Sequence, residues 1–400
     1  MSESLKKITK IVFVCGSFDS QGGKRSTIGH LLHTGFSSTA SVVHESHNLY
    51  YVNGGHTDEL EVAYHRASKA QIVVWFPNVP NDHPKNLVRS LKVVNPTCVL
   101  VTSKRVVEKD YSFPAIIQHA LALHSNLVVV FNKHLERSHH YEASLIDPLG
   151  NLYSHAASHN EMIELGANLR TRVDYLCSLQ RVMSQQALGH CLTETPKEDE
   201  FLDVVRDAAA RFAELIPSPT PVTRFVGNAA FRCSHGFPAV RGKDSTFYVS
   251  RRNVDKTIAS MEDFVPVVGK TGNVLLFYGQ YKPSVDAPIQ AGLFELYPKI
   301  RYMLHGHVYV KGASSTVEVI PCGALNEVNE IWRLFPANEI TEFVVNLRGH
   351  GFLAGADTPE KLARLHPHYI ARPVPEDQRA WLEERSQQDR FGLILRADET

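Results

Sequence analysis

Lys282-Pro283-Ser284-Val285-Asp286, then His305-Gly306-His307, then Leu347-Arg348-Gly349-His350-Gly351, are the segments that give the second half of this chain its reading. A His-x-His pair on an extended segment sends both rings to one side, because strand side chains alternate with period two. A third histidine from a distant strand end completes one face of a tetrahedral or five-coordinate divalent-metal site. Such a face leaves positions open for substrate oxygens, which indicates chemistry rather than a structural ion. His305, His307 and His350 are therefore the expected metal ligands, with Asp286 as the nearby carboxylate.

Outward from these segments, the 400 residues exceed what one hydrophobic core usually serves, so two domains are expected. Forty-two basic residues balance 42 acidic ones, which gives no electrostatic support to nucleic-acid or acidic-membrane binding. Apolar runs such as Leu127 to Phe131 are too short to span a bilayer, and the N-terminus lacks the apolar core of a signal peptide. A cytoplasmic protein is the expectation. The six cysteines (Cys15, Cys98, Cys177, Cys191, Cys233, Cys322) show no Cys-x-x-Cys spacing and read as free thiols without assigned roles.

In the first half, short β-branched runs (Ile11 to Cys15, Ala40 to His44, Ile72 to Phe76, Cys98 to Val101, Leu127 to Phe131) alternate with helical patterns such as Glu59 to Ala70 and Phe113 to Leu123. That order predicts a doubly wound, mostly parallel sheet covered on both faces. Ligands of such sheets bind beyond the C-terminal strand ends, which points to the loop from Gly16 to Thr27. Gly16, Ser17, Gly22 and Gly23 are its candidate anion-binding residues, through backbone N–H groups and a helix N-terminus. The spacing matches neither the phosphate-loop nor the dinucleotide fingerprint, so a nucleotide or sugar site and a plain surface turn both stand. Asn53-Gly54-Gly55-His56-Thr57-Asp58-Glu59 and Pro77 to Asp82 fall at the same edge, with Thr57 or Asp58 equally readable as a helix cap. In layout this half resembles nucleoside deoxyribosyltransferase-like and other small Rossmann-like domains.

His134, His139, His140, His155 and His159 cluster in sequence; their irregular spacing favours exposed or hydrogen-bonding histidines over a second metal site. Apolar steps of three and four from Glu161 to Gln186 predict a long amphipathic helix, and the polar stretch from Thr193 to Glu200 reads as a linker. The domain boundary is placed near residue 190, dividing 1–190 from 191–400.

Phe225-Val226-Gly227-Asn228-Ala229-Ala230-Phe231-Arg232, Asn253-Val254-Asp255-Lys256 and Met261 to Val267 precede the three opening segments, and Arg348-Gly349-His350 runs on through Gly355. In this order, over roughly 197 to 370, the chain resembles the class II aldolase/adducin family. The resemblance implies an α/β/α domain with a mostly antiparallel sheet, a homo-oligomer, usually a four-fold ring, and zinc or a similar divalent ion on His305, His307 and His350. Adducin-like members lack the metal histidines, which favours an enzyme over a scaffold here.

The implied activity is a carbon–carbon lyase acting on a phosphorylated or acidic sugar through a metal-stabilised enediolate, fused to a nucleotide- or sugar-binding domain. Sugar-phosphate epimerisation or dehydration on the same platform, and a non-catalytic assembly module, are the alternatives. Asp286 matches the family's catalytic glutamate but is one methylene shorter, which alters the reach of its proton transfer. Of the family's phosphate pocket, Asn228 and Ser284 remain. Arg251 and Arg252 stand near its Thr/Ser-Gly turn and offer bidentate anion contacts, or simply a solvated strand end.

Overall fold

The computed structural model describes residues 9–39, 47–79, 86–95, 97–107, 113–133, 141–150, 152–179, 184–190, 196–216, 225, 227–232, 247–272, 274–317, 320 and 323–371. The chain divides into two compact units between Leu179 and Gln180.

The first unit runs β1 (Thr9–Asp19), α1 (Thr27–Ser38), β2 (His47–His56), α2 (Thr57–Ala67), β3 (Ile72–Asn78), α3 (Asn86–Val94), β4 (Val99–Val107), α4 (Phe113–Leu123) and β5 (Leu127–Lys133). An antiparallel pair, β6 (Tyr141–Ile146) and β7 (Leu152–Ala156), and the long helix α5 (His159–Ser178) complete it. The sheet order is β2-β1-β3-β4-β5-β6-β7, with the first five strands parallel and the last two antiparallel. Residues 40–44, expected as a strand, lie outside the described residues, and the strand paired with β1 is His47–His56.

Period-two alternation on β1 explains why both faces are covered. Val12 and Val14 join Leu60, Ala63, Val73, Trp75 and Leu91 in one core, facing α2 and α3. Phe13, between them in sequence, turns the other way and meets Phe36 of α1 edge-on at 5.5 Å. Fully burying each such Val or Phe contributes roughly 1.5–3 kcal/mol, so the strands read as continuous apolar runs. α1 and α5 approach closely at Gly35 and Gly166, where an added Cβ would strike the facing backbone at 1.8 and 2.1 Å. α5 ends at Ser178, short of the expected Gln186, and residues 184–187 are a strand of the second unit.

The second unit contains β8 (Ser184–Ala187), α6 (Asp199–Leu215), β9 (Asn228–Arg232), β10 (Phe247–Ser250), β11 (Phe264–Thr271), β12 (Val274–Phe277) and α7 (Ala287–Leu296). It continues with β13 (Tyr302–Gly306), β14 (Tyr309–Val310), β15 (Ser314–Ser315), α8 (Asn326–Leu334), β16 (Glu342–Leu347), β17 (Gly351–Ala356), α9 (Pro359–Ala363) and β18 (Tyr369–Ile370). Its main sheet, β15-β16-β17-β13-β9-β10-β11-β12-β8, is mostly antiparallel, and β14 pairs with β18 separately. One face packs Val249, Val265, Met303 and Val345 against Leu293 of α7 and Ile331 of α8. The other packs Phe231, Phe264 and Tyr302 around Phe201 of α6. The result is the expected three-layer α/β/α arrangement. Among the described residues, no helix is long and apolar enough to cross a membrane.

Candidate metal centre

β13 brings the first histidine. Met303 belongs to the face covered by α7 and α8, so His305, two residues on, projects to that same side at the strand end. The strand stops at Gly306 and His307 occupies the bend that follows. The two rings still share a side, with centroids 5.1 Å apart. β17 runs antiparallel to β13 with Gly306 opposite Phe352, so the turn entering β17 lies beside the end of β13. That register delivers His350, whose ring centroid is 4.5 Å from His305 and 5.3 Å from His307.

Close backbone passage makes this convergence possible. At Gly351 (φ +117°) a Cβ would lie 2.0 Å from the Gly306 carbonyl oxygen and 2.8 Å from the His307 Cα. Only glycine tolerates both the dihedral and the approach. The turn carrying His350 is held from three directions: Arg348 N donates to Thr316 Oγ1 (3.0 Å), Gly349 N to the Tyr309 hydroxyl (3.1 Å) and His350 N to the Leu347 carbonyl (2.9 Å).

One nitrogen or the other from each of the three rings lies within 4.8 Å of the others. His305 Nδ1 donates to the Phe352 carbonyl at 2.7 Å. A carbonyl only accepts, so the ring proton is on Nδ1 and the Nε2 lone pair is free to ligate. Nε2 is buried, makes no hydrogen bond among the described residues, and lies 3.8 Å from Asp286 Oδ2. Burial, and then the neighbouring His350, push the His305 imidazolium pKa down to about 4, which keeps the ring neutral at neutral pH. His350 Nδ1 lies 2.9 Å from Glu327 Oε2, with both side chains almost fully buried. Burial raises the Glu327 carboxyl, opposed by the attraction of His350. Three imidazoles, two of them held through Nδ1, form a donor set suited to zinc or a similar divalent ion.

Asp286 stands at the N-cap position of α7 and is 7% exposed. Asn228 Nδ2 donates to its Oδ2 at 2.8 Å, and Gln290 Nε2 donates to Asn228 Oδ1 at 2.5 Å. The Asn228 amide, an expected anion ligand, is thus engaged at both ends. Ser284 is buried, and its Oγ accepts from Asp286 N at 3.3 Å. Arg251 is committed to Asp263 at 2.7 Å and lies over the Tyr281 ring, while Arg252 donates to Gln185 Oε1 at 3.0 Å. Burial works to raise the Asp263 carboxyl, but hydrogen bonds from Ser260 and Arg251 hold it below the usual range. Sequence reasoning missed Glu327 and Gln290. Both are ordinary helix residues by pattern, and only the packing of α7 and α8 on the sheet exposes their part.

In the first unit, Gly16 and Ser17, expected in a loop, belong to the end of β1, and this strand end and the loop that follows spend their polar backbone internally. Ser17 N donates to the Lys24 carbonyl (2.9 Å), Gly22 N to the Asp19 carbonyl (3.4 Å), Gly23 N to the Gly55 carbonyl (2.8 Å), and Lys24 N to Ser17 Oγ (2.6 Å). Gly16 explains the glycine content: its φ is +84°, and a Cβ there would lie 2.4 Å from Gly54 N. The two glycine-rich segments interlock backbone to backbone, and Ser26 caps α1 by accepting from Gly29 N. Asn53 to His56 are the end of β2 rather than a loop, and His56 with Glu59 forms a capping box for α2. Of the histidine cluster, His134, His139 and His140 lie outside the described residues, as do Asn81, Asp82, the linker residues 193–195 and Cys191, Cys233 and Cys322. His155 Nδ1 bonds Ser144 Oγ at 3.0 Å and His159 opens α5. Cys15, Cys98 and Cys177 are thiols outside any disulfide.

No family model matches the chain, and no curated protein matches it either. Solved structures similar to it include an L-fuculose-1-phosphate aldolase from Thermus thermophilus, 14% identical, with a TM-score of 0.29, covering 48% of this chain and 98% of that one. An aldolase II superfamily protein from Pseudomonas syringae is 15% identical, with a TM-score of 0.27, over 51% of this chain and 95% of its own. A DNA/pantothenate metabolism flavoprotein from Streptococcus pneumoniae is 12% identical, with a TM-score of 0.29, over 40% and 96%.

Proposed function

We propose that the second unit is a metal-dependent carbon–carbon lyase of the class II aldolase type, acting on a phosphorylated or acidic sugar. The observation that carries this reading is the convergence of three imidazoles, with ligand atoms within 4.8 Å of one another, beside a buried carboxylate. His305, His307 and His350 would hold zinc or a similar divalent ion, which supplies Lewis-acid polarisation of substrate oxygens when bound. Asp286 Oδ2, 3.8 Å from His305 Nε2, takes and returns the proton at the substrate carbon flanking the scissile bond. Asn228, oriented by Gln290, holds that carboxylate in place. Ser284 presents its hydroxyl on the same loop as a donor for a substrate anion. As in the family it resembles, the unit is expected to assemble as a homo-oligomer, a four-fold ring.

For the first unit we infer a small anionic ligand, a nucleotide or sugar, at the loop from Gly16 to Thr27, supported by its place where β1 lies between β2 and β3. Since Ser17, Gly22 and Gly23 use their N–H groups within the protein, the contacts would fall to Lys24, Arg25 and the first turn of α1. Replacing Lys24 and Arg25 together by Ala is expected to weaken nucleotide binding measured by calorimetry.

The test of the lyase is elemental analysis of protein purified without added metal, combined with a screen of sugar phosphates and sugar acids for aldehyde release. Stoichiometric metal and turnover, both lost when His305 and His307 are replaced by Ala in a folded protein, are the expected result. Turnover retained in that metal-free variant overturns the reading.

A further inference from the structure

We propose that Glu327 is a positioning residue for the metal centre, acting solely through His350, and that it sets the site's affinity for a divalent cation. The inference rests on the metal reading above. Glu327 sits in the first turn of α8, a helix that otherwise contributes Ile331 to the core, and its side chain is 2% exposed. A buried carboxylate is costly unless it is paired and hydrogen-bonded. Here its Oε2 meets His350 Nδ1 at 2.9 Å, and His350 is 3% exposed.

With Glu327 ionised, opposite the His350 ring whose attraction counters the effect of burial, its carboxylate accepts the Nδ1 proton, which leaves Nε2 as the lone-pair nitrogen. His305 reaches the same tautomer through the neutral Phe352 carbonyl. The two imidazoles therefore differ: His350 leans on a charge, His305 on a dipole. A carboxylate partner raises the basicity of the ring it orients more than a carbonyl does, and loss of such partners typically lowers metal affinity about 10–100-fold. His350 also comes from a turn rather than a strand, so its ring has more to gain from an outside anchor.

The experiment measures zinc affinity by competition with a chromophoric chelator, and cobalt(II) visible spectra, on full-length wild type, Glu327→Gln, Glu327→Ala, His350→Ala and the double variant Glu327→Gln/His350→Ala. Circular dichroism controls the fold. Glu327→Gln, nearly isosteric, is expected to keep the fold and weaken zinc by about tenfold, and Glu327→Ala by up to about a hundredfold. In the His350→Ala background, Glu327→Gln is expected to cost nothing further, because its route to the metal is gone. Wild-type affinity in both single variants overturns the proposal, and so does an equal loss in the His350→Ala background. If wild type binds zinc no better than His350→Ala, the metal reading itself fails and takes this inference with it, an outcome distinct from wild-type binding that Glu327 does not affect.

Discussion

Asp286 Oδ2 lies 3.8 Å from His305 Nε2 and accepts the Asn228 amide at 2.8 Å. A carboxylate in this position is close enough to an imidazole nitrogen to share its field, and the Asn228 amide orients it. It is buried and pre-oriented, as the proposed role of proton carrier requires.

Asp286→Asn is expected to keep the metal while lowering kcat about 10²–10⁴-fold, the usual share of a general acid–base group. Metal content and turnover measured on the same preparation check this. Loss of metal together with activity would mean that Asp286 serves the ion and not the proton.

Gly351→Ala tests the backbone passage at the site. The residue would have to hold φ near +117° with its Cβ 2.0 Å from the Gly306 carbonyl. The strained dihedral alone costs about 1–3 kcal/mol, and the clash adds to it. A lowered Tm, with metal released because His307 and His350 move apart, is the expected result. Denaturation with and without added zinc checks it.

Chelation should destabilise the second unit. Wild type incubated with zinc at a hundred times its Kd is expected to gain about 2.7 kcal/mol over the chelated protein. His350→Ala should show little of that increment in the same denaturation experiment.

The pH response of the first unit follows from His33, whose ring stacks on Tyr51 at 3.5 Å and meets Phe13 edge-on. Burial, and then the neighbouring His30, lower its pKa to about 4 from an ordinary 6.5. The unfolded chain therefore binds a proton below pH 6.5 that the folded chain refuses until about pH 4. Stability is fully present above 6.5 and falls as pH drops through that window. With the ring half-exposed, the share is on the order of 1 kcal/mol. His33→Phe should flatten the stability–pH curve between those limits, and denaturant titrations of both proteins would show it.

Much of the fold was legible because local chemistry specifies it. The runs Ile72 to Phe76 and Leu127 to Phe131 are continuous and β-branched because both faces of β3 and β5 are covered, and that pattern survives in one dimension. His305-Gly306-His307 was legible as two rings on one side, although β13 ends at Gly306 and His307 stands in the bend that follows. The boundaries were less so. Ser184–Ala187 follows α5 with no marked break in pattern, and its place beside β12 depends on pairing with residues some ninety positions away. The glycines at 16, 22 and 23 illustrate the opposite error. Their composition suits an anion cradle, but the interlock of Gly16 with Gly54 accounts for part of it by steric need.

By itself the sequence picked out the residue types of the candidate metal centre, three imidazoles and one carboxylate, and the alternation that builds each sheet, since both follow from side-chain chemistry and short-range periodicity. Only the tertiary structure decided who holds them. Glu327 behind His350, the Phe352 carbonyl behind His305, and Gln290 and Asn228 behind Asp286 are partners between 23 and 62 residues apart in sequence, brought together by the antiparallel register of β13 with β17 and by the packing of α7 and α8. Hydrogen bonds across such separations leave no periodic trace, because they depend on where whole elements dock and not on what neighbours them in the chain.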